Sequence, residues 1–223
     1  MQDYNLKPCP FCGEKPKLYE IPPHTHQITT GGKAKMKKYE LTGETKEIGG
    51  VTLHRIRALI DIPEHDVKAG DLGGWIEAER NLSQNGEAWV TGSACVTGKA
   101  WVTDSALVTD SACVTDSAWV TGKALVTGEA LVTGSARVIG NAWVSGNARI
   151  MKSSDCITIG AIGSRNDTST FYRGADEKIY VSCGCFNGSI DDFASKVKAV
   201  HAGTKHEKTY LLAIELAKAQ IET

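Results

Sequence analysis

Between Ala88 and Ile150 the chain returns to one pattern every six residues, without interruption. Alanine recurs from Ala88, Ala94 and Ala100 through to Ala148, and two residues after each stands Val, or Ile at Ile150. Two residues beyond each Val stands Gly, or Asp at Asp104, Asp110 and Asp116. In extended backbone alternate side chains point the same way, so Ala and the next Val share a face and the residue between them points outward. Gly and Asp tolerate the left-handed backbone that a sharp corner demands. Each hexad is therefore a short strand and a corner, and its small and medium apolar residues suit a narrow, filled interior. A period of six is the signature of a parallel β-helix.

The hexads V-T-G-S-A-C, V-T-G-K-A-W and V-T-D-S-A-L resemble those of the hexapeptide-repeat, left-handed β-helix proteins, the trimeric LpxA-like class. The resemblance implies three hexads per triangular coil, a left hand and a homotrimer. The left hand rests on the resemblance alone, because the usual crossover preference is right-handed. The stretch K-A-G-D-L-G-G-W-I-E, Lys68 to Glu77, resembles the leading cap of a subgroup found in enterobacterial and prophage proteins. Ile76 and Leu82 are expected to start the first, irregular coil.

With three hexads per coil, residues eighteen apart stack and the outward positions form three columns. These are Trp89, Leu107, Leu125, Trp143; then Cys95, Cys113, Leu131, Arg149; then Trp101, Trp119, Arg137. Columns of Trp and Leu are too apolar to stand bare in water. Trp89, Trp101, Leu107, Trp119, Leu125 and Trp143 are thus the expected oligomer interface, with the flanking segments sharing the cover. An aromatic ligand platform at Trp101 and Trp119 is the competing reading.

The chain has 223 residues with 25 basic and 26 acidic side chains, room for two or three modules and no basic excess. Near-neutral charge gives no support to general nucleic-acid binding. No apolar run reaches membrane-spanning length, and Met1-Gln2-Asp3 does not open a signal peptide, so a cytoplasmic protein is expected. Seven Cys in unlike contexts fit a reducing compartment better than a disulfide framework. Cys95 and Cys113, stacked on adjacent coils, read as small buried apolar residues rather than as a bridge.

Residues 1–38 have no repeat and contain L-K-P-C-P-F-C-G, with Cys9 and Cys12 spaced as a zinc knuckle. The segment resembles the start of restriction-alleviation (Lar-like) phage proteins, without that family's second Cys pair. His24 and His26 are the expected substitutes, and Cys183 with Cys185 are the alternative. Four protein ligands would make a closed, structural zinc site. Residues 39–87 then form a β cap, with a hairpin or meander in Lys37 to Ile62 that turns at Gly49-Gly50. The basic run Lys33, Lys35, Lys37, Lys38 reads as a solvated loop.

Residues 151–223 form a small α+β module, of a kind that recurs behind repeat segments in phage and prophage proteins. Thr168 to Arg173 and Lys178 to Cys183 alternate as a hairpin, and Ser189 is placed to cap a helix carrying Ile190, Phe193, Val197 and Val200. Tyr210, Ile214, Ala217 and Ile221 mark a second amphipathic helix. Arg165 and Asn166 after a Gly-rich loop, with Tyr172 and Arg173, make the candidate ligand set: guanidinium, open backbone amides and an aromatic suit a phosphate and a base. The bland alternative is a packing loop with Arg165 in a structural pair.

The whole is expected to be mainly β: a left-handed parallel β-helix with an N-terminal zinc-knuckle and β cap and a C-terminal α+β module. Many hexapeptide-repeat proteins are acyltransferases with a His base, yet residues 88–150 contain no His to take a proton. The leading reading is therefore a non-catalytic, trimeric binding protein of phage or prophage type. It would sequester a small nucleotide-type host signal or bind a host defence protein. An acyltransferase and a purely structural trimerising spacer are the alternatives.

Overall fold

The computed structural model describes residues 36–221. Cys9, Cys12, His24 and His26, and with them the zinc knuckle, lie outside the described residues.

Eleven two-residue strands, β4 (Trp89–Val90) to β14 (Arg149–Ile150), stack in parallel into a β-solenoid of about four turns. Trp89 pairs with Leu107, Leu107 with Leu125 and Leu125 with Trp143. The other two faces run Cys95, Cys113, Leu131, Arg149 and Trp101, Trp119, Arg137. The columns are those the period implies. Inside, every repeat Ala and Val is at most 1% exposed, so two side chains per hexad fill the whole interior.

The corners are left-handed throughout: Asp104, Asp110 and Asp116 have φ of 62°, 60° and 58°, and the corner glycines lie in the same region. The Asp corners do more than tolerate this geometry. Each carboxylate accepts from a Thr hydroxyl and a Gly amide of the next coil, Asp110 from Thr127 and from Gly128 N at 3.0 Å, for example. Asp104 does the same with Thr121 and Gly122, and Asp116 with Thr133 and Gly134. These bonds, the hydroxyl first, hold the Asp110 and Asp116 carboxyls below the usual range.

Glycine corners differ in what lies above them. A Cβ on Gly122 (φ 76°) would fall 2.8 Å from Gly140 O, whereas Gly140 (φ 68°) faces open space. Both substitutions to Ala carry the left-handed penalty of about 1–2 kcal/mol. Gly122→Ala also has to push the next coil away, so urea melts should show it clearly less stable than Gly140→Ala. Equal losses would mean that the coils slide apart freely.

One solenoid face continues into the N-terminal cap. β1 (Tyr39–Ile48) and β2 (Val51–Ala58) form an antiparallel hairpin turning at Gly49-Gly50, and β3 (Leu72–Ile76) pairs with β2 on one side and the Cys95 strand on the other. Ile76 and Leu82 do open the first coil, paired with Val96 and Val102. The offset there is twenty residues rather than eighteen, since the chain bulges before the repeat settles. Buried Asn81 bridges the irregularity, its Nδ2 donating to Ala100 O at 2.9 Å and Gly98 O at 3.2 Å.

The cap corrects one interface assignment. Trp89 is 1% exposed within this one chain, with the Tyr39 ring edge-on at 6.4 Å, so it has no surface left for a sister subunit. Tyr39 is locked there by its hydroxyl, which donates to Leu82 O at 2.7 Å. Lys38 also turns inward rather than joining a solvated loop; its Nζ donates to Ala88 O at 2.7 Å. Burial pulls the Lys38 ammonium down to about 8, against the opposing pull of Glu87. The unfolded chain keeps the ordinary value of 10.5, so between the two values it holds more protons and stability rises with pH. The melting temperature of the wild type relative to Lys38→Met should therefore climb from about pH 8 to 10. A flat difference would refute the shift.

A second correction concerns Cys95 and Cys113, which are joined by a disulfide. In-register parallel pairing sets their Cα atoms 4.8 Å apart with side chains on the same face, within bridging range. Reading them as two buried apolar residues missed what stacking does to a pair of thiols.

The C-terminal module is a four-stranded antiparallel sheet, β15 (Cys156–Ile162), β16 (Asp167–Arg173), β17 (Ile179–Cys183) and β18 (Phe186–Ser189), backed by helices α1 (Ile190–His201) and α2 (Lys205–Ile221). The Ser189 hydroxyl caps α1 by accepting from Asp192 N at 3.1 Å. Phe171, Val181, Phe186, Phe193, Val197, Tyr210 and Ile214 form a second apolar core between sheet and helices. Val200, expected on that face, is 41% exposed, so the apolar face of α1 ends one turn before the helix does. No helix among the described residues is long and apolar enough to cross a membrane.

Candidate functional site

The solenoid ends in a problem of valence. In each coil, strand amides donate to carbonyls of the next, as Leu125 N does to Ala142 O at 2.8 Å. The last coil has no successor, so its amides need other acceptors. The C-terminal sheet supplies one: Trp143 N donates to Thr170 Oγ1 at 3.0 Å. Alternation along β16 then divides its residues. Phe171 joins the helix-side core, while Thr170 and Tyr172 face the last coil. Tyr180, Ser182 and Asn187 extend that face across β17 and β18.

The result is a junction lined by hydroxyls and amides rather than by aliphatic side chains. Tyr172 OH lies 3.0 Å from Ser145 Oγ and 3.4 Å from Ser182 Oγ. Asn187 Nδ2 donates to Ser182 Oγ at 3.1 Å and also to Ser145 Oγ. Two openings flank this polar ridge. The larger, about 550 Å³, lies between the corner of residues 145–148 and Tyr180, Asp176 and Asn187. The smaller, about 300 Å³, is lined by Asn141, Trp143, Arg165, Thr168 and Thr170, among others. No histidine lines either opening.

The four candidate ligand residues are not gathered into one site. Arg165 is exposed in the smaller opening, above Gly184. Tyr172 is 1% exposed and reaches the larger opening only from below. Asn166 occupies a left-handed turn (φ 52°) and lines neither. Arg173 is committed to the fold: its Nε pairs with buried Asp155 at 3.3 Å, and its guanidinium donates to Ile221 O. Asp155 in turn accepts from Met151 N at 2.9 Å and Lys152 N at 3.0 Å, closing the solenoid where the repeat stops. Arg173 is thus a half-buried tie between the sheet, Asp155 and the end of α2.

The residues missed from sequence are Asn141, Ser145, Tyr180 and Asn187. β16 does carry a polar face in Thr168, Thr170 and Tyr172, but any antiparallel strand with one solvated face shows the same alternation, so the sequence alone does not mark it.

Of the proposed interface residues other than Trp89, Trp101 is 42% exposed and stacks on Trp119 with centroids 5.6 Å apart. Arg137 caps that stack, its guanidinium 5.1 Å from the Trp119 ring. Leu107, Leu125 and Trp143 are each half-buried, and Trp143 already borders the smaller opening. Cys183 is buried and Cys185 exposed, and no group of three or more metal-ligating side chains occurs among the described residues.

No protein-family model matches this chain, and no curated protein matches it.

Proposed function

We propose that the chain is a non-catalytic binding protein that holds a small anionic ligand of the nucleotide class in the Arg165 groove. The observation that carries this reading is the groove itself. Arg165 presents a free-standing guanidinium beside Trp143, with Asn141 and the hydroxyls of Thr168 and Thr170 within the same opening. A guanidinium offers paired donors to a phosphate, and an indole offers a surface for a flat ring. Asp167 at the rim limits how much negative charge the groove tolerates and favours a single phosphate over a chain of them.

The wider setting of the proposal is a homotrimeric, left-handed β-helix of phage or prophage type, acting in the host cytoplasm by sequestration. The Trp101 and Trp119 stack, with Leu107 and Leu125, supports the trimer, because such columns call for cover. Cys9, Cys12, His24 and His26 are the proposed ligands of a structural zinc. A host defence protein is the alternative occupant of the same end of the molecule.

A thermal-shift screen of the purified protein against linear and cyclic nucleotides tests the reading. A ligand that binds only the folded state raises the melting temperature by mass action, about 2.7 kcal/mol at a hundredfold excess over Kd. One nucleotide class should shift the wild type, and Arg165→Ala should remove at least nine-tenths of that affinity. A shift unchanged in Arg165→Ala, or no shift with any nucleotide, would overturn the assignment.

A further inference from the structure

We propose that the larger opening, on the other side of the ridge from Arg165, is a binding site for an uncharged sugar ring. Tyr180 is its platform. The ring is half-buried and stacks beside Tyr172, with centroids 6.3 Å apart and planes 21° from parallel. Its hydroxyl donates to Asp176 Oδ2 at 3.1 Å. Gly174 lies so close beneath that an added Cβ would fall 2.5 Å from Tyr180 Cε2. The ring is therefore fixed on three sides before any ligand arrives, which removes an ordering cost from binding.

The rim supplies hydrogen bonds from neutral side chains and from one carboxylate, Asp176. Asp176 is paired with Lys178 at 3.3 Å, and no cation lines the opening to hold an anion. Asn187, Ser145 and the Tyr172 hydroxyl form one connected group of donors and acceptors. Such a site complements a ligand with a C–H face to lie on Tyr180 and hydroxyls at its edge to meet Asp176 and Asn187. A planar base would be better held by a second apolar wall, but opposite Tyr180 stands the corner with Ser145 and Asn147. At about 550 Å³ the opening is within the range of small-molecule sites.

Saturation-transfer NMR on the full chain, with the methyl glycosides of glucose, galactose and N-acetylglucosamine and with adenosine as the competitor class, tests this. Transfer to the ring protons of at least one glycoside is expected. It should vanish in Tyr180→Ala, weaken at least tenfold in affinity in Asn187→Ala, and stay unchanged in Arg165→Ala. The last variant separates this site from the anion groove, so either assignment can fail alone. If Tyr180→Ala does not fold, Asn187→Ala, an exposed position, decides. No transfer to any glycoside, transfer indifferent to both substitutions, or transfer to adenosine alone overturns the proposal.

Discussion

Val114→Asp should cost more than about 4 kcal/mol and abolish cooperative unfolding of the repeat as one unit. Val114 is fully buried in the middle of the solenoid, where its neighbours along the axis are Val96 and Val132. The interior there consists of Ala and Val side chains at most 1% exposed, with no polar side chain among them to meet a carboxylate. A solenoid transmits stability only through adjacent coils, so a fault in a central rung divides it into two short halves. Urea unfolding followed by circular dichroism would show the loss as a lower midpoint or as two transitions. Ser93→Asp, at an exposed corner, should change stability by no more than about 0.5 kcal/mol. A central charge that left the midpoint in place would mean that the interior is not the closed column described above.

The second large effect is expected at Cys95 and Cys113. The bond closes a loop with a sequence separation of 18, for which chain entropy in the unfolded state allows about 3 kcal/mol. For a chain of this size that is roughly 6–12 °C in melting temperature. Dithiothreitol should lower the melting temperature of the wild type by this order and leave Cys95→Ala/Cys113→Ala where it stands. A wild type insensitive to reductant would show that the coils hold register without the bond.

The repeat was legible because its physics is local. Period, alternation and corner residues each point to the same short strand, and Ala88 to Ile150 contains nothing that competes. The Ser189 cap and the Tyr210, Ile214, Ala217 face of α2 were readable for the same reason. What escaped the sequence was set by contacts between distant segments. Trp89 looks like every other outward Trp until Tyr39 is placed against it. Lys38 reads as one more solvated lysine in a basic run, and only the cap explains its inward turn. Arg173 and Arg165 have the same chemistry in the sequence, yet buried Asp155 claims the first and no ion pair holds the second among the described residues. The polar face of β16 makes sense only once the last coil is seen to lack a partner for its amides.

Because each coil repeats the backbone pairing of the one before, eighteen residues act as a unit of length. Deleting residues 105–122 would join Asp104 to Lys123 in the same phase of the hexad and bring the two ends closer by about 4.8 Å. The Tyr39–Trp89 and Thr170–Trp143 contacts lie outside the deleted residues, whereas the Cys95–Cys113 bond would be lost and the Glu64–Lys123 ion pair displaced by one coil. The distance between the hairpin end and the C-terminal junction is therefore graduated in whole turns. Anything that must touch both ends at once measures the number of coils rather than their sequence.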